Sequence, residues 1–147
     1  MQVHGKRSFI SDTRGFTMVE LLVVILILGI LATIALPGFI GQRVKGQDIE
    51  ARATIRTATT ALMTYEMDND TFNATRADVE AIEPAIVEAT PAFALSGTPT
   101  TFTITERSVS GTDFTLTRDA LGNLTRTCSV PGRGLCRAAL DANGNRW

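Results

Sequence analysis

Histidine is nearly missing from this 147-residue chain: His4 is the only one, and loss of the first residues would leave none. That excludes His-based catalytic dyads and triads and His-ligated metal sites. Cysteine is scarce too. Cys128 and Cys136 lie far from the N-terminus and are too few for a four-ligand zinc site. Charge is modest, at 20% of residues, and balanced: fourteen Lys and Arg against fifteen Asp and Glu leave a net −1. A polybasic nucleic-acid coat or an acidic disordered tail cannot account for such a chain. No paired-carboxylate or nucleophile motif is legible, so an enzyme is disfavoured and no cofactor is expected.

What is present is unevenly placed. Hydrophobic residues make up 44% of the chain, and the aliphatic bulk lies between Phe16 and Ile40. The remainder is rich in Thr, Ala, Asp and Arg, so the chain reads as membrane-linked. From Leu21 to Leu36 sixteen residues carry no charge. As a helix they span ~24 Å, and Phe16 to Ile40 spans ~37 Å, enough to cross a hydrocarbon core of ~30 Å. Lys6, Arg7 and Arg14 outweigh Asp12 before this run, a net +2. That balance favours a cytoplasmic N-terminus, with the rest of the chain outside. An ordinary secretory signal fits poorly, because only Ala32 to Ala35 approximates a cleavage site and Pro37 follows it. Glu20 stands out. A carboxylate in a membrane helix costs ~2.5–3.5 kcal/mol at mid-bilayer and less near the interface, so it points to a function and needs a partner.

The stretch Arg14-Gly15-Phe16-Thr17-Met18-Val19-Glu20-Leu21-Leu22-Val23-Val24 resembles the processing site of type IV prepilins and the related pseudopilins. The match is close over Arg14 to Gln42 and one of layout beyond. The resemblance implies that a membrane-embedded prepilin peptidase cuts between Gly15 and Phe16 and N-methylates Phe16. It implies that Glu20 neutralises the N-terminal amine of a neighbouring subunit during assembly. Two such desolvated charges are each costly alone and much less so when paired. Gly29 and Pro37 match positions where the family's helix is weakened, and Pro37 also lacks a backbone donor and crowds the preceding turn. The implied partners are other copies of the chain and related pilins in a helical filament, the prepilin peptidase, and an inner-membrane assembly platform.

The expected organisation is a cleaved leader (1–15), a hydrophobic transmembrane and assembly helix (16–40), an amphipathic continuation (41–68), a variable connection (69–100) and a sheet with a C-terminal loop (101–147). Ala51, Ile55, Ala58, Leu62 and Tyr65 recur at 4-3-4-3 spacing, with Ile49, Ala53, Met63 and Met67 broadening the stripe. The Asp68-Asn69-Asp70 cluster should end the helix. Thr75 to Asp78 resembles a capping box before Val79 and Ile82, and Pro84, Pro91 and Pro99 punctuate a stretch with no legible chemistry. From Thr100 the period changes to two. Phe102 and Ile104, then Phe114 and Leu116, then Leu124 to Ser129 read as strands, with turns at Ser110-Gly111-Thr112 and Gly122-Asn123. The fold class is therefore α+β, a long N-terminal helix packed on an antiparallel sheet of three to four strands, which is the pilin layout.

Outside the membrane, Cys128 and Cys136 should form a disulfide closing a seven-residue loop, and the resemblance points the same way. Asp141, Asn143 and Asn145 place oxygens at alternate positions, as calcium loops do. Their glycine sits one position early and the distal glutamate is missing, so a plain Asn-Gly turn is the better reading. Between Arg118 and Trp147 five arginines face Asp119 and Asp141, a net +3. That tip could touch DNA phosphates, although surface solvation and cross-strand ion pairs are favoured. The resulting expectation is a structural subunit of a type IV pilus-like filament, extracellular after assembly. The alternatives are a pseudopilin of a type II secretion system and a minor pilin that binds DNA or surfaces.

Overall fold

The computed structural model describes residues 15–88 and 92–147. The expected leader apart from Gly15, the side chain of Pro37, and Pro91 lie outside the described residues. Packing divides the chain into two units, Met1–Pro37 and Gly38–Trp147. Helix α1, Met18–Asn69, contributes to both. In the first unit the large apolar side chains from Phe16 to Leu36 are all exposed, from 44% at Val23 to 91% at Met18. This is the one helix among the described residues long and apolar enough to cross a membrane. The helix runs through Pro37 without a break.

In the second unit α1 buries Ala51, Ile55, Ala58, Ala61 and Leu62 against the sheet, with Tyr65 partly covered. The expected broadening of this stripe fails. Ile49, Ala53, Met63 and Met67 are exposed, 80% so at Met67. Helical geometry explains the difference: at ~100° per residue, Ile49, Ala53 and Met67 lie ~160–200° around the axis from Ala51, and Met63 ~120°. The buried arc is widened instead by Asp48 and Ala61. The helix ends within the Asp-Asn-Asp cluster, where Asp70 takes a left-handed φ of 54°.

The stretch from 71 to 100 holds more order than its sequence announces. Helix α2, Arg76–Ile82, opens on a capping box: Asp78 N donates to Thr75 Oγ1, and Thr75 N donates to Asp78 Oδ2. A 3-10 turn follows at Pro84–Glu88. Strand β1, Ala94–Gly97, was not legible as a strand. Gly97 explains its place: a Cβ there would lie 1.9 Å from the Phe72 carbonyl oxygen, so only glycine admits the close pass.

Strands β2 (Phe102–Arg107), β3 (Asp113–Arg118) and β4 (Leu124–Cys128) complete an antiparallel meander in the order β1-β2-β3-β4. One face carries Phe102, Ile104, Phe114 and Leu116 into the core with the helix stripe. The other face pairs Thr103 with Thr117, Thr105 with Thr115, and Arg107 with Asp113. The last is a cross-strand ion pair, with Arg107 Nε 2.7 Å from Asp113 Oδ1. Both anticipated turns form, around Gly111 and Gly122, each with φ of 87°.

Candidate functional site

The N-terminal residues assemble one local arrangement. Gly15 precedes the helix, and a Cβ built on it would meet nothing within 4 Å. Phe16 is 87% exposed. Thr17 N and Thr17 Oγ1 both donate to Glu20 Oε2, at 2.9 and 2.8 Å, while Glu20 N donates to Thr17 Oγ1 at 3.2 Å. This is a reciprocal capping box, which satisfies amide donors that the first helical turn leaves orphaned. The Glu20 carboxylate also sits at the positive end of the helix dipole. Gly29 meets nothing within 4 Å of a built Cβ, so its small size is not required by the isolated helix.

A second cluster gathers around the C-terminal loop. Cys128 and Cys136 form a disulfide with Cα atoms 5.9 Å apart. The loop they close rests on Asp48 of α1, which is fully buried. Asp48 Oδ1 accepts from Ser108 Oγ at 2.7 Å and Ser110 Oγ at 2.6 Å, and Asp48 Oδ2 accepts from Leu135 N at 2.9 Å. One carboxylate thus joins the helix, the β2–β3 turn and the disulfide loop. Gly134 is required there: its φ is 57°, and a Cβ would lie 2.0 Å from Asp48 Oδ2. Trp147 packs edge-on to Phe114 and donates from Nε1 to the Thr127 carbonyl at 2.8 Å. Arg52 and Arg126 lie 5.3 and 5.7 Å from its ring centroid.

The oxygens of the calcium-like spacing are engaged within the chain. Asp141 Oδ1 accepts from the amides of Asn143 and Asn145, and Asn145 Oδ1 accepts from Arg126 N. Gly144, at φ 77°, closes that Asn-Gly turn. These hydrogen bonds, that from Asn145 foremost, hold the Asp141 carboxyl below its ordinary value. The five-arginine tip is divided. Arg118 stacks on Phe72 at 4.7 Å and donates to the Thr100 carbonyl, away from the other four.

A family model described as the prokaryotic N-terminal methylation motif matches residues 10–36. The chain is 36% identical over 69 residues to type II secretion system core protein G of Pectobacterium carotovorum, covering 47% of this chain and 44% of that one. It is 37% identical over 65 residues to type IV major pilin protein PilA of Myxococcus xanthus, covering 44% and 30%. A longer match, 25% identical over 124 residues, reaches the type IV wide pilus major component PilA4 of Thermus thermophilus and covers 84% and 86%. The chain thus carries the N-terminal methylation motif and is similar to type IV pilins and to type II secretion system core protein G. It spans less than half the length of the first two relatives.

Gly15 and Phe16 lie just before α1 and Glu20 lies in its first turn, with Gly29 and Pro37 further along the helix. Two hydrogen-bonding positions of these clusters were not legible in the sequence. Thr17 belongs with Glu20, and the Thr-x-x-Glu spacing was the available signal. Asp48 escaped because an acid among Arg43, Lys45 and Glu50 looks like one more solvated charge. Its near-complement to the stripe, three residues before Ala51, was the only hint.

Proposed function

We propose that this chain is a processed structural subunit of a type IV pilus-like filament. Prepilin peptidase cuts between Gly15 and Phe16 and methylates Phe16. The apolar helix holds the subunit in the cytoplasmic membrane with its second unit outside, and then packs with neighbouring helices as an inner-membrane assembly platform adds it to the filament. The carrying observation is the match of residues 10–36 to the methylation motif on a helix whose apolar side chains have no cover of their own. Burying that surface against lipid or other helices is strongly favourable, while leaving it in water is not. The role is structural and not catalytic. Intact-mass analysis of subunit from sheared filaments is expected to show loss of fifteen residues and a methylated Phe16. A first residue beyond Ala35 would overturn the processing step.

Glu20 is the assembly charge in this reading. Cleavage places an ammonium on Phe16, and a neighbour's ammonium can replace the Thr17 donors at Glu20. Glu20→Leu as the only copy is expected to insert in the membrane yet yield few sheared filaments, with Glu20→Gln intermediate because it hydrogen-bonds without neutralising. Wild-type filament yield from Glu20→Leu would refute that role.

A second reading is a secretion pseudopilin, favoured by the matches to relatives named core protein G. Imaging separates the two: long surface fibres of this subunit support the pilus, and short assemblies confined beneath the outer surface support the pseudopilus.

A further inference from the structure

Charge in the unit Gly38–Trp147 is sorted by position. Toward one end lie Arg43, Lys45, Arg52 and Arg56 of α1, with Arg126, Arg133, Arg137 and Arg146 of the C-terminal segment, against Glu50 and a half-buried Asp141 that lies 3.9 Å from Arg137. The disulfide loop is fixed there by the Leu135 contact to Asp48. Arg52 and Arg126 both stand over the Trp147 ring, and the Arg52 Nε is buried without a hydrogen-bond partner. Burial first, then the charges of Arg56, Arg137 and Arg126, push the Arg52 guanidinium below its ordinary value. Like charges have therefore been brought together, and the nearby Asp48 carboxylate is already committed to Ser108, Ser110 and Leu135.

The other end is acidic. From Glu66 to Glu83 there are six carboxylates against Arg76, and Arg76 is taken by Glu80. Asp68 and Asp70 are exposed, and Asp119 lies in the β3–β4 turn; the second cation at this end, Arg118, stacks on Phe72. Along α1, Arg56 and Asp68 are ~18 Å apart, and Arg52 and Asp68 ~24 Å. Both separations exceed a Debye length of ~8 Å at physiological salt, so the two ends do not satisfy each other within one chain.

We propose that the arginine cluster around Trp147 receives the acidic 66–83 end of a second copy of this chain. Such a contact is heterologous: each copy offers a different patch, and the contact repeats from subunit to subunit without closing. Complementary poles also fix the register of the second units and disfavour side-by-side pairing of like ends. The inference rests on the filament reading, and it adds which surfaces meet.

The test is a charge swap in the full chain expressed as the only subunit. Arg56, Arg137 and Asp68 are exposed and the half-buried Glu66 lies outside the apolar core, so the four substitutions leave that core in place. Arg56→Glu with Arg137→Glu, and separately Glu66→Lys with Asp68→Lys, are each expected to lower sheared filament yield about tenfold. Processed, disulfide-closed subunit should stay in the membrane at the wild-type level. All four changes together should recover most of the yield. Wild-type assembly by either pair alone, or loss of assembly without recovery in the combined variant, overturns the proposal. Loss of duplex DNA binding by the arginine variant with assembly untouched also overturns it and assigns the cluster to nucleic acid. In all of these cases wild-type filaments still form. Their absence from the wild type would instead remove the filament reading itself.

Discussion

Replacing Asp48 with alanine removes the one carboxylate that reaches the helix, the β2–β3 turn and the disulfide loop at once. Three donors lose their acceptor: the hydroxyls of Ser108 and Ser110 and the amide of Leu135. A net hydrogen bond to a charged group contributes about 1.5–3 kcal/mol, and a buried donor left unsatisfied costs about 1–3 kcal/mol. These do not add in full. The two serine hydroxyls can reorient, and removing a buried charge recovers part of its desolvation cost. A loss of about 3–5 kcal/mol is the expected result. Against a total of about 5–15 kcal/mol, that is a large fraction. A small domain loses roughly 4–8 °C of midpoint per kcal/mol, so the midpoint should fall by about 12 °C or more. Trp147 supplies the assay. It is the only tryptophan and 7% exposed, and it stands near the loop that Asp48 anchors. Its emission during thermal unfolding of detergent-held full-length protein, with the disulfide intact, reports the second unit directly. Asp48→Asn keeps the volume but turns an NH2 toward one donor, so it should cost about 1–3 kcal/mol. If Asp48→Ala unfolds within ~0.5 kcal/mol of wild type, as an ordinary surface substitution does, the carboxylate is not an anchor.

Gly134→Ala should destabilise by more than the ~1–2 kcal/mol of a left-handed backbone alone, because the new Cβ also meets Asp48; the Trp147 transition measures it. Cys128→Ser should lower stability by about 2–4 kcal/mol, and labelling of denatured wild type prepared without reductant should find no free thiol. Acid should weaken the second unit. Hydrogen bonds, from Arg107 to Asp113 and from Asn123 to Asp119 foremost, depress these two carboxyls. A depressed folded value means the stabilisation is complete above the unfolded value of ~3.9 and is lost as pH falls through the lower folded values. Denaturation midpoints compared between pH 6 and pH 3 test this, and higher stability at pH 3 would refute it.

The legible parts of the chain were those with strong local periodicity. Ala51, Ile55, Ala58 and Leu62 announce a helix face, and Phe102, Ile104, Phe114 and Leu116 announce strands, because burial on one face forces period 3.6 or 2. The Thr75–Asp78 cap and the Gly111 and Gly122 turns were legible because their chemistry is complete within four residues. Strand β1 was not. Its four residues, Ala94 to Gly97, show no sustained alternation, and their pairing is set by β2. Asp48 was hidden for a related reason: its partners Ser108, Ser110 and Leu135 are 60, 62 and 87 residues away. No local window contains such a contact. The division of the five arginines was hidden likewise, since nothing local separates Arg118, at the end of β3, from Arg126, in the middle of β4.

Glu20 and Asp48 are the first two acids of α1, and their donors differ in a way that suits them to different tasks. Each donor to Glu20 comes from Thr17, within the first turn of its own helix. Those bonds stabilise the helix start, yet they can be exchanged for a stronger cationic donor without moving any other part of the fold. Asp48 takes its three donors from two distant segments, and losing them would unseat the β2–β3 turn and the disulfide loop together. A carboxylate with local, replaceable donors suits a step in which one partner is traded for another as subunits join. A carboxylate with distant, convergent donors suits a joint that must not open. Substitution at Glu20 should therefore register in assembly while the unfolding transition of Trp147 stays in place. Substitution at Asp48 should move that transition first, and change assembly only as far as the arginine-bearing loop is displaced.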